Sequence, residues 1–150
     1  MIQGKWFAPG EDLSIAVIPV RKAVFGAGED ALDRISWNAA VFEDSVPVAT
    51  GRIWWEDGSF RLGSLGVIES RRSMGYGDLV LRLLLYKAQS HYAREVRLSC
   101  PRDTVGFFGR LGLQECPSEN PDTVEMLIPG ERINLDSCKN CPKTSCPNRT

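Results

Sequence analysis

The 150-residue chain is 43% hydrophobic and 25% charged, the balance of one globular domain long enough to bury a sizeable core. Its 18 Lys and Arg against 19 Asp and Glu leave a formal charge of -1 and an isoelectric point of about 5.9, without the clustered basic excess that a nucleic-acid footprint requires. No apolar run approaches the roughly 20 residues of a membrane span and no signal-peptide h-region stands at the N-terminus, so neither nucleic acid nor membrane is an expected partner and the cytoplasm is the expected compartment.

Residues Ile2 to Phe7 suit a short first strand, closed by Ala8-Pro9-Gly10. Asp12 is placed to cap a helix carrying Leu13, Ala16, Val17 and Val20 on one side, which Pro19 should kink or divide. Phe25-Gly26-Ala27-Gly28 breaks that helix, and Glu29 to Ile35 suits a second, shorter one. Ser36 to Phe42, Val46 to Trp55 and Phe60 to Val67 read as an antiparallel meander with turns at Glu43-Asp44-Ser45 and Glu56-Asp57-Gly58. Trp54 and Trp55 must then face opposite sides of the sheet, one of them toward the core.

Arg72-Ser73-Met74-Gly75-Tyr76-Gly77 follows this meander and opens into a helix-forming segment, Asp78 to Ala88. Glycine lets backbone approach a ligand or take positive φ, and the free amides of a helix start lie at the positive end of its dipole, so the turn is suited to an anion such as a pyrophosphate. It is neither a P-loop, which needs Gly-x-x-x-x-Gly-Lys-Ser/Thr, nor a dinucleotide fingerprint, which needs Gly-x-Gly-x-x-Gly. In the helix, Leu81, Leu84, Leu85, Ala88 and Tyr92 form one stripe that Leu79, Val80 and Leu83 widen, so burial on most sides is expected. Glu95 to Cys100 alternates as a strand, Thr104 to Leu111 suits a short helix, and Leu113 to Cys116 with Thr123 to Ile128 suit a closing hairpin.

The Arg-x-x-Gly-x-Gly turn resembles the acyl-CoA signature of the GNAT N-acetyltransferases, Gln/Arg-x-x-Gly-x-Gly/Ala, whose loop amides hold the CoA pyrophosphate. Three neighbouring segments fit the same resemblance in order and spacing. Leu62-Gly63-Ser64-Leu65-Gly66-Val67 is similar to the family's fourth strand, Glu95 to Cys100 to its fifth, and Val105-Gly106-Phe107-Phe108-Gly109-Arg110-Leu111-Gly112-Leu113 to its "Gly-Phe-Tyr-x-x-Leu-Gly-Phe" segment. Val20-Arg21-Lys22-Ala23-Val24-Phe25 resembles the "Arg-x-x-Val-Phe" stretch of the ElaA-like branch.

The resemblance covers residues 1–130 and implies an α/β GNAT-like acyl-CoA N-acyltransferase fold, a mixed central sheet flanked by helices. It implies acetyl-CoA as cosubstrate, bound by Leu65, Gly66 and Val67 of the fourth strand, by Arg72, Ser73, Met74, Gly75, Tyr76 and Gly77 of the loop, and against Phe108. The implied reaction is direct attack of an amine acceptor, small molecule or protein, on the thioester. A Tyr commonly protonates the leaving thiolate in the family; this chain has Phe108 there, which packs but cannot donate. The base candidates are Glu29, Asp30 and Asp33, of which Glu29 is singled out, whereas Glu56 and Asp57 are more simply turn residues. Cys100 reads as a buried thiol, since His91, the only histidine, lies near a helix end. A non-catalytic acyl-CoA-binding or sensing module is the alternative, and a homodimer stays open.

Residues 131–150 form a polar, Cys-rich tail outside the resemblance. Cys138, Cys141 and Cys146 give Cys-x2-Cys-x4-Cys, the first pair with the spacing of a zinc or iron-sulfur ligand pair. Three thiolates fall one short of a structural zinc set, which Cys116, His91 or Asp136 would have to complete; free thiols or a disulfide are the alternatives.

Overall fold

The structure of the chain, a computed structural model, describes residues 1–135. Seven strands form one sheet in the order β1-β2-β3-β4-β5-β7-β6, with β1 at Ile2–Phe7, β2 at Trp37–Glu43, β3 at Val46–Glu56, β4 at Ser59–Val67, β5 at Glu95–Cys100, β6 at Gln114–Cys116 and β7 at Val124–Pro129. All neighbours are antiparallel except β4 and β5. The two hairpin turns fall where the sequence puts them. Asp44 and Ser45 join β2 to β3, Asp57 and Gly58 join β3 to β4, and all four residues have positive φ, the geometry whose twist matches that of the strands it connects.

Helices cover the sheet on both faces, and two strand neighbours show how. A Cβ on Gly51 of β3 would strike Val80 and Leu84 of helix α2, Tyr76–Ser90, at 2.8 and 2.9 Å. A Cβ on Gly66, paired with the adjacent Thr50, would strike Val24 and Phe25 of helix α1, Val17–Phe25, at 2.8 and 3.0 Å. Successive strand residues point to opposite faces, so α1 and α2 lie on opposite sides. Leu81, Leu84 and Leu85 of α2 are fully buried, each worth about 1.5–3 kcal/mol relative to exposure.

Four sequence expectations change in detail. Asp12 does not cap α1: its carboxylate accepts from the Ser14 amide at 2.9 Å, and the helix begins at Val17. Pro19 therefore falls in the first turn, where its missing N–H has no intrahelical partner to lose, and it neither kinks nor divides the helix. Tyr92 leaves the stripe of α2, because the helix ends at Ser90 and Tyr92 turns outward, 94% exposed with φ +55°. Nor is α2 buried on most sides, since Tyr86 is exposed and Leu79 and Leu83 are only partly covered.

Folded structure continues past residue 130. Ile133 is buried in the core, and Gln89 and Arg82 of α2 donate to the carbonyls of Ile133 at 3.1 Å and Leu135 at 3.3 Å. Among the described residues no helix is long and apolar enough to cross a membrane.

Candidate active site

The parallel ladder between β4 and β5 is short. It pairs Phe60, Arg61 and Leu62 with Val96, Arg97 and Leu98, and then the strands part. Their separation has a local cause on β4. Thr50 pairs with Gly66 and Arg52 with Gly63, so Gly51 alone faces Ser64 and Leu65, with Ser64 at φ +49°. Such a bulge carries one extra residue and bends its strand. The opening is a cleft of about 250 Å³ lined by Leu62 to Leu65 of β4 and Leu98 to Pro101 at the end of β5, together with Phe25 and Phe108. Beyond Leu62, the edge of β4 that faces β5 has no strand partner.

At the far end of β4 the chain enters the Gly-rich turn. A second cleft of about 410 Å³ is lined by Val67, Arg71, Arg72, Ser73, Gly75 to Asp78, Phe107 and Arg110. Gly75, at φ +87°, is the residue preceding α2, and no side chain caps this helix start. The positive φ is one that glycine takes without strain. The first amides of α2 therefore face the cleft with the positive end of the dipole.

Charge adds to this. Arg72 bends back so that its Nε donates to the Val67 carbonyl at 3.1 Å, while Arg71 is neutralised by Glu43 at 3.2 Å and Asp78 by Arg82 at 2.7 Å. Among the described residues no carboxylate pairs with Arg72 or Arg110, which leaves the cleft net positive. Gly77 forms part of its floor, where an added Cβ would meet the Phe107 ring at 3.3 Å.

A buried ionic network fixes α1 beside the first cleft. Arg21 donates to both carboxylate oxygens of Asp33 at 2.7 Å and to Asn38 Oδ1 at 2.6 Å, and Arg52 donates to Asp33 at 3.2 Å and to Asp30 at 2.6 and 2.9 Å. Burial alone pushes the Asp33 carboxyl up. Hydrogen bonds from Arg21 and the Asp30 amide, with the charges of Arg21 and Arg52, outweigh it and hold Asp33 at about 2. Asp30 also caps the 3-10 turn Ala31–Arg34.

Solved structures share this architecture. Escherichia coli ElaA superposes with a TM-score of 0.72 at 19% identity over 85% of this chain and 99% of its own. An acyl-CoA N-acyltransferase from Pseudomonas aeruginosa superposes at 0.74 with 17% identity over 85% and 99%. The protein has the GNAT fold. A GNAT family acetyltransferase from Elizabethkingia anophelis with acetyl-CoA bound superposes at 0.68 with 10% identity, covering 85% of this chain and 97% of its own. No protein-family model matches the sequence, and no curated protein matches it.

On this GNAT scaffold the sequence-marked residues fall into four groups. Leu65 and Phe108 line the inter-strand cleft, whereas Val67, Arg72, Ser73, Gly75, Tyr76 and Gly77 line the turn cleft. Gly66 is buried under α1, and Met74 is exposed beside the turn without lining either cleft. The Tyr76 hydroxyl is engaged, donating to Glu43. Phe108 stacks edge-on against Phe107 at 5.0 Å.

Of the base candidates, Asp30 and Asp33 are held by Arg52 and Arg21, while Glu29 is exposed and lines neither cleft. Cys100 is buried and lines the inter-strand cleft, and His91 packs against the Phe60 ring instead. Trp54 is the core member of its pair and Trp55 the exposed one. Cys138, Cys141 and Cys146 lie outside the described residues, and among those described no group of His, Cys, Asp and Glu could hold a metal. Sequence reading missed Ser99, whose signal is its place between the inward-facing Leu98 and Cys100.

Proposed function

We propose that the protein is an N-acetyltransferase that moves the acetyl group of acetyl-CoA to an amine by direct attack. The observation that carries this reading is the parting of β4 from β5 after Leu62 and Leu98, which opens a narrow apolar cleft on the same strand that leads into the uncapped, positively charged start of α2. One end suits a diphosphate; the other suits a thin thioester arm.

In this reading the amides of Gly75 to Asp78, with Arg72 and Arg110, hold the pyrophosphate. The partnerless edge of β4 from Gly63 to Val67 hydrogen-bonds the pantetheine arm, and one of its amides polarises the thioester carbonyl. Phe108 packs against the thioester end. The acceptor nitrogen, freed of its extra proton, forms the C–N bond as the C–S bond breaks, and the thiolate is reprotonated by water, because no tyrosine lines the inter-strand cleft.

The same observation favours a second reading, an acyl-CoA-binding module without turnover. Calorimetry with acetyl-CoA tests what the two share, and release of free CoA thiol across a panel of amines separates them. Binding with amine-dependent thiol release supports the enzyme; binding without release under any amine supports the module; absence of binding removes both. A zinc or iron-sulfur group at Cys138, Cys141 and Cys146 is a separate proposal that rests on spacing alone.

A further inference from the structure

On the face of the sheet that α1 covers over β3 and β4, Ser99 of β5 is exposed among the described residues, and one polar cluster stands there at the edge of the inter-strand cleft. Ser99 lines the cleft, and its hydroxyl donates to Glu125 Oε2 on the neighbouring β7. Arg61 of β4 donates to Glu125 Oε1 at 2.8 Å and to the Ser99 hydroxyl at 3.3 Å. Glu125 is thus one hydrogen bond from the cleft, with its side chain only 16% exposed and braced on both oxygens. A hydroxyl oxygen has two lone pairs, and Arg61 engages one, so Ser99 retains an acceptor site for a ligand N–H.

The free acceptor site on Ser99, backed by the Glu125 carboxylate, selects a ligand that donates a proton. Arg61 also lies 3.8 Å from Glu56, and Arg97 pairs with Glu95 at 2.5 Å beside Arg94, so the charges along this face balance and Glu125 is the carboxylate that reaches the cleft residue Ser99. The apolar ring of Phe25 forms the wall of the cleft nearest α1 and is half exposed. An ammonium on an apolar stem satisfies both features.

The geometry points to Glu125, acting through Ser99 and held by Arg61, as the group that receives the ammonium of a small primary amine with an apolar stem and takes its proton. This rests on the acetyl-transfer reading. The ammonium proton passes to Ser99 Oγ as the Ser99 proton passes to Glu125, leaving the nitrogen lone pair free. Nitrogen then bonds the thioester carbon, sulfur leaves with the C–S electron pair, the second nitrogen proton passes to solvent, water reprotonates the thiolate, and Glu125 returns its proton to solvent.

The test uses phenethylamine with acetyl-CoA and the full chain. Wild type is expected to release CoA thiol with phenethylamine faster than with spermidine, which lacks an apolar end group. Glu125→Gln is expected to raise the KM for phenethylamine at least tenfold and to lower kcat, with the KM and calorimetric Kd for acetyl-CoA unchanged; Glu125→Asp should recover part of the loss. If Glu125→Gln does not fold, Ser99→Ala carries the same expectation. Wild-type phenethylamine kinetics in either folded variant overturn the assignment, as does a wild-type protein that binds acetyl-CoA and acetylates spermidine but not phenethylamine. Failure to bind acetyl-CoA would instead remove the underlying reading.

Discussion

Arg21 of α1 grips Asp33 through two hydrogen bonds of 2.7 Å, and both side chains are at least 97% buried. The pair ties the helix that supplies Phe25 to the strands beneath it, because the same carboxylate also meets Arg52 of β3 and Asn38 of β2. The Nε atoms of Arg21 and Arg52 find no partner among the described residues, so the network carries a desolvation cost that its fork-shaped contacts must offset. Its contribution is position, which holds one wall of the cleft.

Removing one member should therefore be worse than the net worth of the pair. Arg21→Met leaves Asp33 buried beside a single cation and is expected to destabilise the fold by about 3–5 kcal/mol, read as a lowered denaturant midpoint. A midpoint within error of wild type would show that the helix is held by Val17 and Val20 alone.

The depressed Asp33 carboxyl gives a pH signature. Its folded value of about 2 lies below the reference 3.8, so its stabilisation is complete above pH 4 and is lost as pH falls toward 2. The difference is worth roughly 2 kcal/mol. Urea midpoints measured between pH 5 and pH 2 should fall less steeply for Asp33→Asn than for wild type; parallel curves would contradict the linkage.

The turn cleft is tested at Gly77. An Asp there lies in the first turn of α2, where a negative side chain favours the helix by about 0.3–1 kcal/mol, so Gly77→Asp should stay folded after the Phe107 ring shifts. It should weaken acetyl-CoA by more than tenfold in calorimetry, since the new carboxylate faces the diphosphate. Unchanged affinity would move the ligand elsewhere.

The meander, α2 and the turn cleft are legible in the sequence because each depends on short-range signals: alternation, two-residue turns and a glycine before an apolar helix. The ionic network is not, because its partners are 12 and 19 residues apart and charges on short elements ordinarily face solvent. A trace was present. Arg21 lies one turn after the buried Val17, and Arg52 lies between Thr50 and Trp54 on a strand with two buried faces. Glu125 was hidden for a related reason, since β7 alternates cleanly with Val124, Met126 and Ile128 inward and nothing in the pattern tells which outward residue meets β4.

The tail thiols are tested by composition. Elemental analysis of protein purified anaerobically should find about one zinc, or an iron-sulfur complement, per chain if Cys138, Cys141 and Cys146 ligate metal, and triple replacement by Ser should remove it while acetyl-CoA binding persists. Metal-free protein whose three thiols alkylate freely would end that proposal.

Phe108 lines the inter-strand cleft, and in the acetyl-transfer reading it stands where a tyrosine would offer the thiolate a proton. Cys100 and Ser99 are the only thiol and hydroxyl besides Ser64 among the residues lining it, and Ser99 already donates to Glu125. A CoA thiolate, with a thiol pKa near the reference ~8.5 of cysteine, tolerates leaving without immediate protonation. If water supplies the proton afterwards, Phe108→Tyr should leave kcat within about twofold, because the added hydroxyl does not touch the rate-limiting step. If thiolate protonation limits turnover, kcat should rise tenfold or more, equivalent to about 1.4 kcal/mol of barrier. Steady-state thiol release with phenethylamine distinguishes the two, and a large rise would show that the acid missing from this cleft, rather than the acceptor-side carboxylate, sets its rate.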